Sequence, residues 1–149
     1  MIAIGSDHGG FSMKEQLKPF IADMGYTIKD MGTTSEEACD YPDYAFAVAK
    51  LVSSGDADRG IMIDAVGVAS AMVANKLPGV RAAACQNEFA AQSSREHNDA
   101  NLLALGGRII GIELAKTIVK IWLVTEFAGG RHQKRVDKIS DIDLKYRKS

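Results

Sequence analysis

The chain has 149 residues, 46% of them hydrophobic, with 18 Lys and Arg against 19 Asp and Glu and a net charge of −1. That length supports a single domain over 1–149 with a sizeable core, and the near-neutral balance gives no reason to expect a nucleic-acid or membrane surface. No basic segment precedes a long apolar run, so neither a signal peptide nor a membrane span is expected. Cys39 and Cys85 have no ligand-pair spacing and read as free thiols in a reducing cytoplasmic compartment, with a disulfide the less favoured alternative.

Ile2 to Ile4, followed by glycine, predicts a buried parallel strand. Gly9 and Gly10 permit a close backbone turn, and Ser12 with Glu15 suggests a capped helix carrying Leu17, Phe20, Ile21 and Met24 on its apolar stripe. Tyr26 to Met31 predicts a second strand. Pro42 and Asp43 suit the first turn of a second helix, which Gly55 ends. A third strand is expected over Arg59 to Asp64, then a helix of small residues within Val66 to Asn75. Val80 to Cys85 and Asn101 to Leu105 are the fourth and fifth strands, with a helix over Glu88 to Glu96 between them. Ile112 to Phe127 predicts a long helix. A last amphipathic helix, about 132–146, carries Val136, Ile139 and Ile142 on one side. Strands separated by helices imply an α/β, doubly wound, five-stranded parallel sheet of Rossmann-like type, with one extra C-terminal helix. Ligands of such sheets bind beyond the carboxyl ends of the strands.

Only three histidines occur, and each lies in a polar cluster: Ser6-Asp7-His8-Gly9, Arg95-Glu96-His97-Asn98 and Arg131-His132-Gln133. Imidazole titrates near neutrality and suits proton transfer. Arg131 and Arg135 are four apart, so a helix there presents both guanidiniums on one side. Such a pair offers fork-shaped donors to a phosphate, although it is also what an ordinary basic helix surface looks like. Arg108, after Gly106-Gly107, is a further candidate anion donor. The full dinucleotide glycine fingerprint and the phosphate-loop lysine are absent, and the histidines and cysteines lack zinc spacing, so neither nucleotide nor metal is expected.

Five motifs in order give these clusters a common meaning. They are Gly5-Ser6-Asp7-His8-Gly9-Gly10, Asp40-Tyr41-Pro42-Asp43, Ala74-Asn75-Lys76-Leu77-Pro78-Gly79-Val80-Arg81, Arg95-Glu96-His97-Asn98-Asp99-Ala100-Asn101 and Gly129-Gly130-Arg131-His132. Together they resemble the family of ribose-5-phosphate isomerase B and the galactose-6-phosphate isomerase subunits, from Ile2 to about Ile142. The resemblance implies aldose–ketose isomerisation of a small phosphorylated sugar without metal or organic cofactor. It implies a flavodoxin-like strand order and a homodimer or homotetramer, with the last helix at a subunit interface and the site built between subunits. By position it gives His97 the ring-opening role and sets Asn98, Asp7 and Tyr41 beside the sugar. Gly67 lies in the turn facing substrate, and His8, Arg108, Arg131 and Arg135 match the phosphate-binding set.

One motif departs from this pattern. Cysteine-type relatives carry Cys-Gly-Thr-Gly after the third strand, the cysteine being the carbon base, whereas this chain has Asp64-Ala65-Val66-Gly67. A second branch uses a glutamate where Ser70 stands. The turn instead looks like that of the galactose-6-phosphate isomerase A subunit. Three readings follow. Asp64 is the catalytic base of a self-contained isomerase, most simply of ribose 5-phosphate. Alternatively the chain is an A-type subunit working with a cysteine-bearing homologue, or it is a non-catalytic sugar-phosphate binder.

Overall fold

Five parallel strands form the sheet: β1 (Ile2–Ser6), β2 (Ile28–Asp30), β3 (Arg59–Asp64), β4 (Ala82–Ala84) and β5 (Leu102–Gly106). Helices α1 (Phe11–Asp23), α2 (Tyr41–Ser54), α3 (Ala69–Ala74), α4 (Glu88–Glu96) and α5 (Ile112–Val124) connect or follow them, and α6 (Arg131–Tyr146) ends the fold. The computed structural model describes residues 1–147.

Strand side chains alternate between faces, and the two faces differ in bulk. Ile2, Ile4, Ile61, Ile63, Leu103 and Leu105 point towards Leu17, Ile21, Ile118 and Trp122 of α1 and α5. On the other face Ala3, Met62 and Leu102 meet Ala45, Val48 and Ala49 of α2. There α2 lies so close that a Cβ on Gly5 or Gly60 would fall 2.7 Å from a Val48 methyl. Helix α2 begins with proline in its first turn, with Asp43 at its positive end, and stops at Gly55, whose φ is +82°. Helix α1 departs from expectation at its start. It opens from Gly10 without a side-chain cap, and Glu15 pairs with Lys18 at 2.5 Å instead of serving a capping box.

The strand order is β2-β1-β3-β5-β4, so the expected flavodoxin-like order holds for three strands and fails for the last two. Two physical reasons agree. Helix α3 packs with α2 on one face, whereas α4 packs with α5 on the other. Right-handed crossovers that change face must also change direction across the sheet, so the chain skips a position into β4 and returns through α4 to place β5 beside β3. In addition, Leu102–Gly106 is wholly buried, while the three alanines of β4 are partly exposed, as suits a short edge strand.

Only Val136 of α6 is buried; Ile139 and Ile142 are 46% and 61% exposed. The helix is tied to the α3–β4 turn where the Gly79 N–H donates to Asp143 at 2.9 Å. A groove of about 480 Å³ runs between α6 and β4, with Ile139, Ile142, Arg81 and Asn98 among its lining residues. Among the described residues no helix is long and apolar enough to cross a membrane.

Candidate active site

The expected site residues divide between two opposite edges of the sheet. At the edge where strands end, three turns interlock through backbone. The Asp7 N–H donates to the Ile63 carbonyl at 3.2 Å, the Gly107 N–H to Asp64 at 2.8 Å and the Arg108 N–H to Ala65 at 3.0 Å. Glycine is required by contact here: a Cβ at Gly10 would stand 2.2 Å from the Ile63 carbonyl oxygen, and one at Gly107 2.7 Å from that of Gly9. These approaches bring Asp7, His8, Asp64, Gly67 and Arg108 to one end, and Tyr41, 36% exposed, opens α2 at the same end.

Asp7 is buried, and its Oδ1 accepts the N–H groups of Gly9 at 2.9 Å and Gly10 at 3.2 Å, which shapes the glycine turn. His8 accepts the Cys39 N–H on Nδ1 at 3.2 Å. Asp64 is 4% exposed, and both its oxygens are engaged. Oδ1 accepts from the N–H groups of Val66, at 3.0 Å, and Gly67; Oδ2 accepts from the Ser70 N–H at 3.1 Å and the Ser70 hydroxyl at 2.7 Å. A carboxylate has about four in-plane lone pairs, and here four donors use them. Gly67 has φ +84° and lies against the Leu105–Gly106 backbone, while Gln86 braces the same turn by donating to the Val66 carbonyl at 2.8 Å.

The other edge, where strands begin, holds the rest. Helix α4 runs antiparallel to the strands, so its end carries His97 and Asn98 to the far side; α5 likewise delivers Arg131 and Arg135 there. Five-residue strands separate the two edges by roughly 15 Å. His97 stacks on His132 with ring centroids 4.2 Å apart and 17° between planes, and its Nδ1 lies 3.2 Å from the Ser93 hydroxyl. Desolvation, with cationic repulsion from His97, Arg131 and Arg135 added and Glu96 opposing, moves the His132 pKa below the ordinary imidazole value. Buried Arg95 secures the turn after His97. It donates to Asp99 at 2.9 Å, to the Ala100 carbonyl at 2.6 Å and to the Thr125 carbonyl at 3.1 Å. Arg81 grips Asp99 from the other side at 3.2 Å, and Asp99 holds φ +49°. Among the described residues Arg108, Arg131 and Arg135 form no ion pair, leaving three guanidiniums available to an anion. No cluster of three or more His, Cys, Asp or Glu side chains is placed to hold a metal among them.

The profile of the Ribose/Galactose Isomerase family matches residues 2–139. The chain belongs to that family. It is 46% identical to Escherichia coli ribose-5-phosphate isomerase B over 142 residues, 95% of each chain. It is 42% identical to the galactose-6-phosphate isomerase subunit LacA of Streptococcus equi subsp. zooepidemicus over 141 residues, 95% of this chain and 98% of that one. The solved structure of Clostridium thermocellum ribose-5-phosphate isomerase B superimposes with a TM-score of 0.96 at 51% identity, covering 98% of this chain and 99% of that one. Family membership explains the two-edge arrangement only when the contacts are added. The histidine stack, the grip of Arg81 on Asp99 and the Cys39–His8 contact join residues that no local spacing connects, whereas Arg95 and Asp99 are four apart at the end of one helix. The recurrence of histidine beside arginine was the single sequence signal for the stack.

Proposed function

We propose that this family member interconverts ribose 5-phosphate and ribulose 5-phosphate, in a site that one copy of the chain opens and a second copy completes. The observation that carries the reading is the separation of the recognition set. Asp7, His8, Tyr41, Gly67 and Arg108 stand at one edge, and His97, Asn98, Arg131 and Arg135 at the other, farther apart than a pentose phosphate reaches. Packing edge to edge, two copies would each supply half of a pocket, and isologous pairing would make two such pockets. The exposed Ile139 and Ile142 of α6 give a partner apolar surface to cover beside the arginine pair. The free thiols of Cys39 and Cys85 are consistent with a reducing, cytoplasmic setting.

In such a pocket the guanidiniums and His8 would anchor the phosphate, and this remote binding energy would fix the reacting carbons. His97 would move a proton between ring oxygen and anomeric hydroxyl as the ring opens. Isomerisation then takes a proton from C2, passes through an enediolate and returns a proton to C1, while the hydroxyl proton on O2 leaves and O1 gains one.

Asp64 bears on the C2 proton. To act as base it must release one of its four donors, since together they occupy its in-plane lone pairs. This favours a second reading, in which a cysteine-bearing homologue supplies the base and Asp64 holds its own turn in shape. Turnover of ribose 5-phosphate by the purified chain, measured alone and with any encoded cysteine-bearing homologue, separates the two. Asp64→Asn should abolish proton exchange with substrate binding intact if Asp64 is the base. If it holds the turn, stability and binding fall together by about 1–3 kcal/mol. Tight binding without turnover in either mixture would remove the isomerase reading and leave a sugar-phosphate binder.

A further inference from the structure

We propose that the segment between β2 and α2 locks His8 in the tautomer protonated on Nε2, and that Lys14 is the positioning residue that holds this segment in place. The inference deepens the functional reading above, in which His8 faces the phosphate.

The segment has two anchors. Thr33 is buried; its N–H donates to the Ser6 carbonyl at 2.8 Å and its carbonyl accepts from Lys14 at 2.8 Å. Six residues later the Cys39 N–H donates to His8 Nδ1. Between them Thr34, Glu36, Glu37 and Ala38 are exposed, so little else constrains the path. A backbone N–H can only donate. Nδ1 must therefore accept, and in the neutral imidazole the proton resides on Nε2. The ring is thereby turned into a directional donor whose free N–H points away from the segment that holds it. The Cys39 thiol, 3.8 Å from the same nitrogen, lies beside the contact and is not needed for it.

Lys14 has an uncommon position for a lysine. It lies on α1, just after the glycine turn, and is 1% exposed. Its three N–H donors are all used, on Asp30 Oδ1 at 2.7 Å, Asp30 Oδ2 at 2.8 Å and the Thr33 carbonyl. Burying an ammonium is costly unless every donor is matched, as here. What this arrangement achieves is a rigid link from α1, which starts at the His8 turn, to the segment that returns to His8. Partial burial would raise the Asp30 carboxyl, but the bonds from Lys14 and Lys18 outweigh it and hold its pKa below the ordinary value, so the link stays charged near neutrality.

The test uses the intact chain labelled with ¹⁵N-histidine, at a pH where imidazole is neutral. Long-range ¹H–¹⁵N correlation should show His8 protonated on Nε2 in the wild type; a proton on Nδ1 overturns the proposal without any variant. Cys39→Ala retains the N–H and should retain the tautomer, whereas Lys14→Met should release the segment and mix the tautomers. The same variant should weaken binding of inorganic phosphate by about tenfold, the worth of one well-aimed hydrogen bond to a charged group. An unchanged His8 spectrum in Lys14→Met overturns the positioning role. Should that variant not fold, Asp30→Asn, which loosens the same link while leaving the ammonium in place, carries the same two readouts. Absence of ribose 5-phosphate turnover would strike the isomerase reading alone and leave the tautomer measurement standing.

Discussion

The two edges of the sheet are built by different means. Where strands end, turns meet backbone to backbone, with glycines wherever a Cβ would collide and Asp7 and Asp64 gathering N–H groups from their own loops. Where strands begin, long side chains do the holding: the Arg95–Asp99–Arg81 clamp and the stacked His97 and His132. The first edge is rigid because its atoms cannot approach differently. The second is held by side-chain charge and ring contacts, from buried Arg95 to partly exposed Asp99.

If the edges are halves of one pocket, inactive variants from opposite edges should rescue each other. His8→Ala and His97→Asn, each inactive alone, should recover about one quarter of wild-type activity when unfolded and refolded together, because half of the randomly formed dimers carry one intact pocket. No recovery on mixing would break the comparison at its root. Next in size is Arg95→Met. It leaves Asp99 and two carbonyls short of a buried charged partner and should cost about 3–5 kcal/mol in urea denaturation. A loss below 1 kcal/mol would mean that the strand-start edge does not depend on that clamp.

Glycine substitutions sharpen the contrast further. Gly10→Ala drives a methyl into the Ile63 carbonyl and should cost about 3 kcal/mol. Gly129→Ala meets nothing within 4 Å and should cost only the left-handed backbone penalty at φ +65°, about 1–2 kcal/mol. Equal losses would erase the distinction between contact and conformation. The smallest effect is electrostatic. By ¹H NMR the His132 ring should titrate below the ordinary imidazole value, and His97→Ala should move its midpoint up. With the folded pKa depressed, the contribution to stability is present above the ordinary value and is lost as pH falls through the folded one. A midpoint at or above the ordinary imidazole value would contradict the stack and its cationic neighbours.

The sequence made the strands and helices readable because buried parallel strands are short apolar runs and helices repeat at 3.6 residues. Pro42, Asp43 and Gly55 marked the ends of α2 as expected. The order of β4 and β5 was not readable, since periodicity says which face a helix buries but not which neighbour a strand chooses. Ser12 and Glu15 fit a capping pattern, yet the turn at Gly10 and the pull of Lys18 on Glu15 took precedence. The site residues were legible as residue types in motifs. Their division between edges follows from helix direction, which becomes visible only once the sheet is assembled. Asp64 stood out as an aspartate where relatives carry cysteine, but its four donors come from a turn whose path no spacing reveals.

The position of β5 has a consequence for how the chain is made. Among the described residues β4 pairs with β5 and with no other strand, and the far side of β3 is also closed by β5. A chain emerging from the ribosome therefore holds β1, β2 and β3 together while the place beside β3 stays empty until residues 102–106 arrive. Until then β3 presents an unpaired apolar edge and β4 has nothing to bind, the condition in which strands of separate molecules adhere. Synthesis halted near residue 100 should thus yield an aggregating fragment, and the late strand acts as a keystone that closes both gaps in one step.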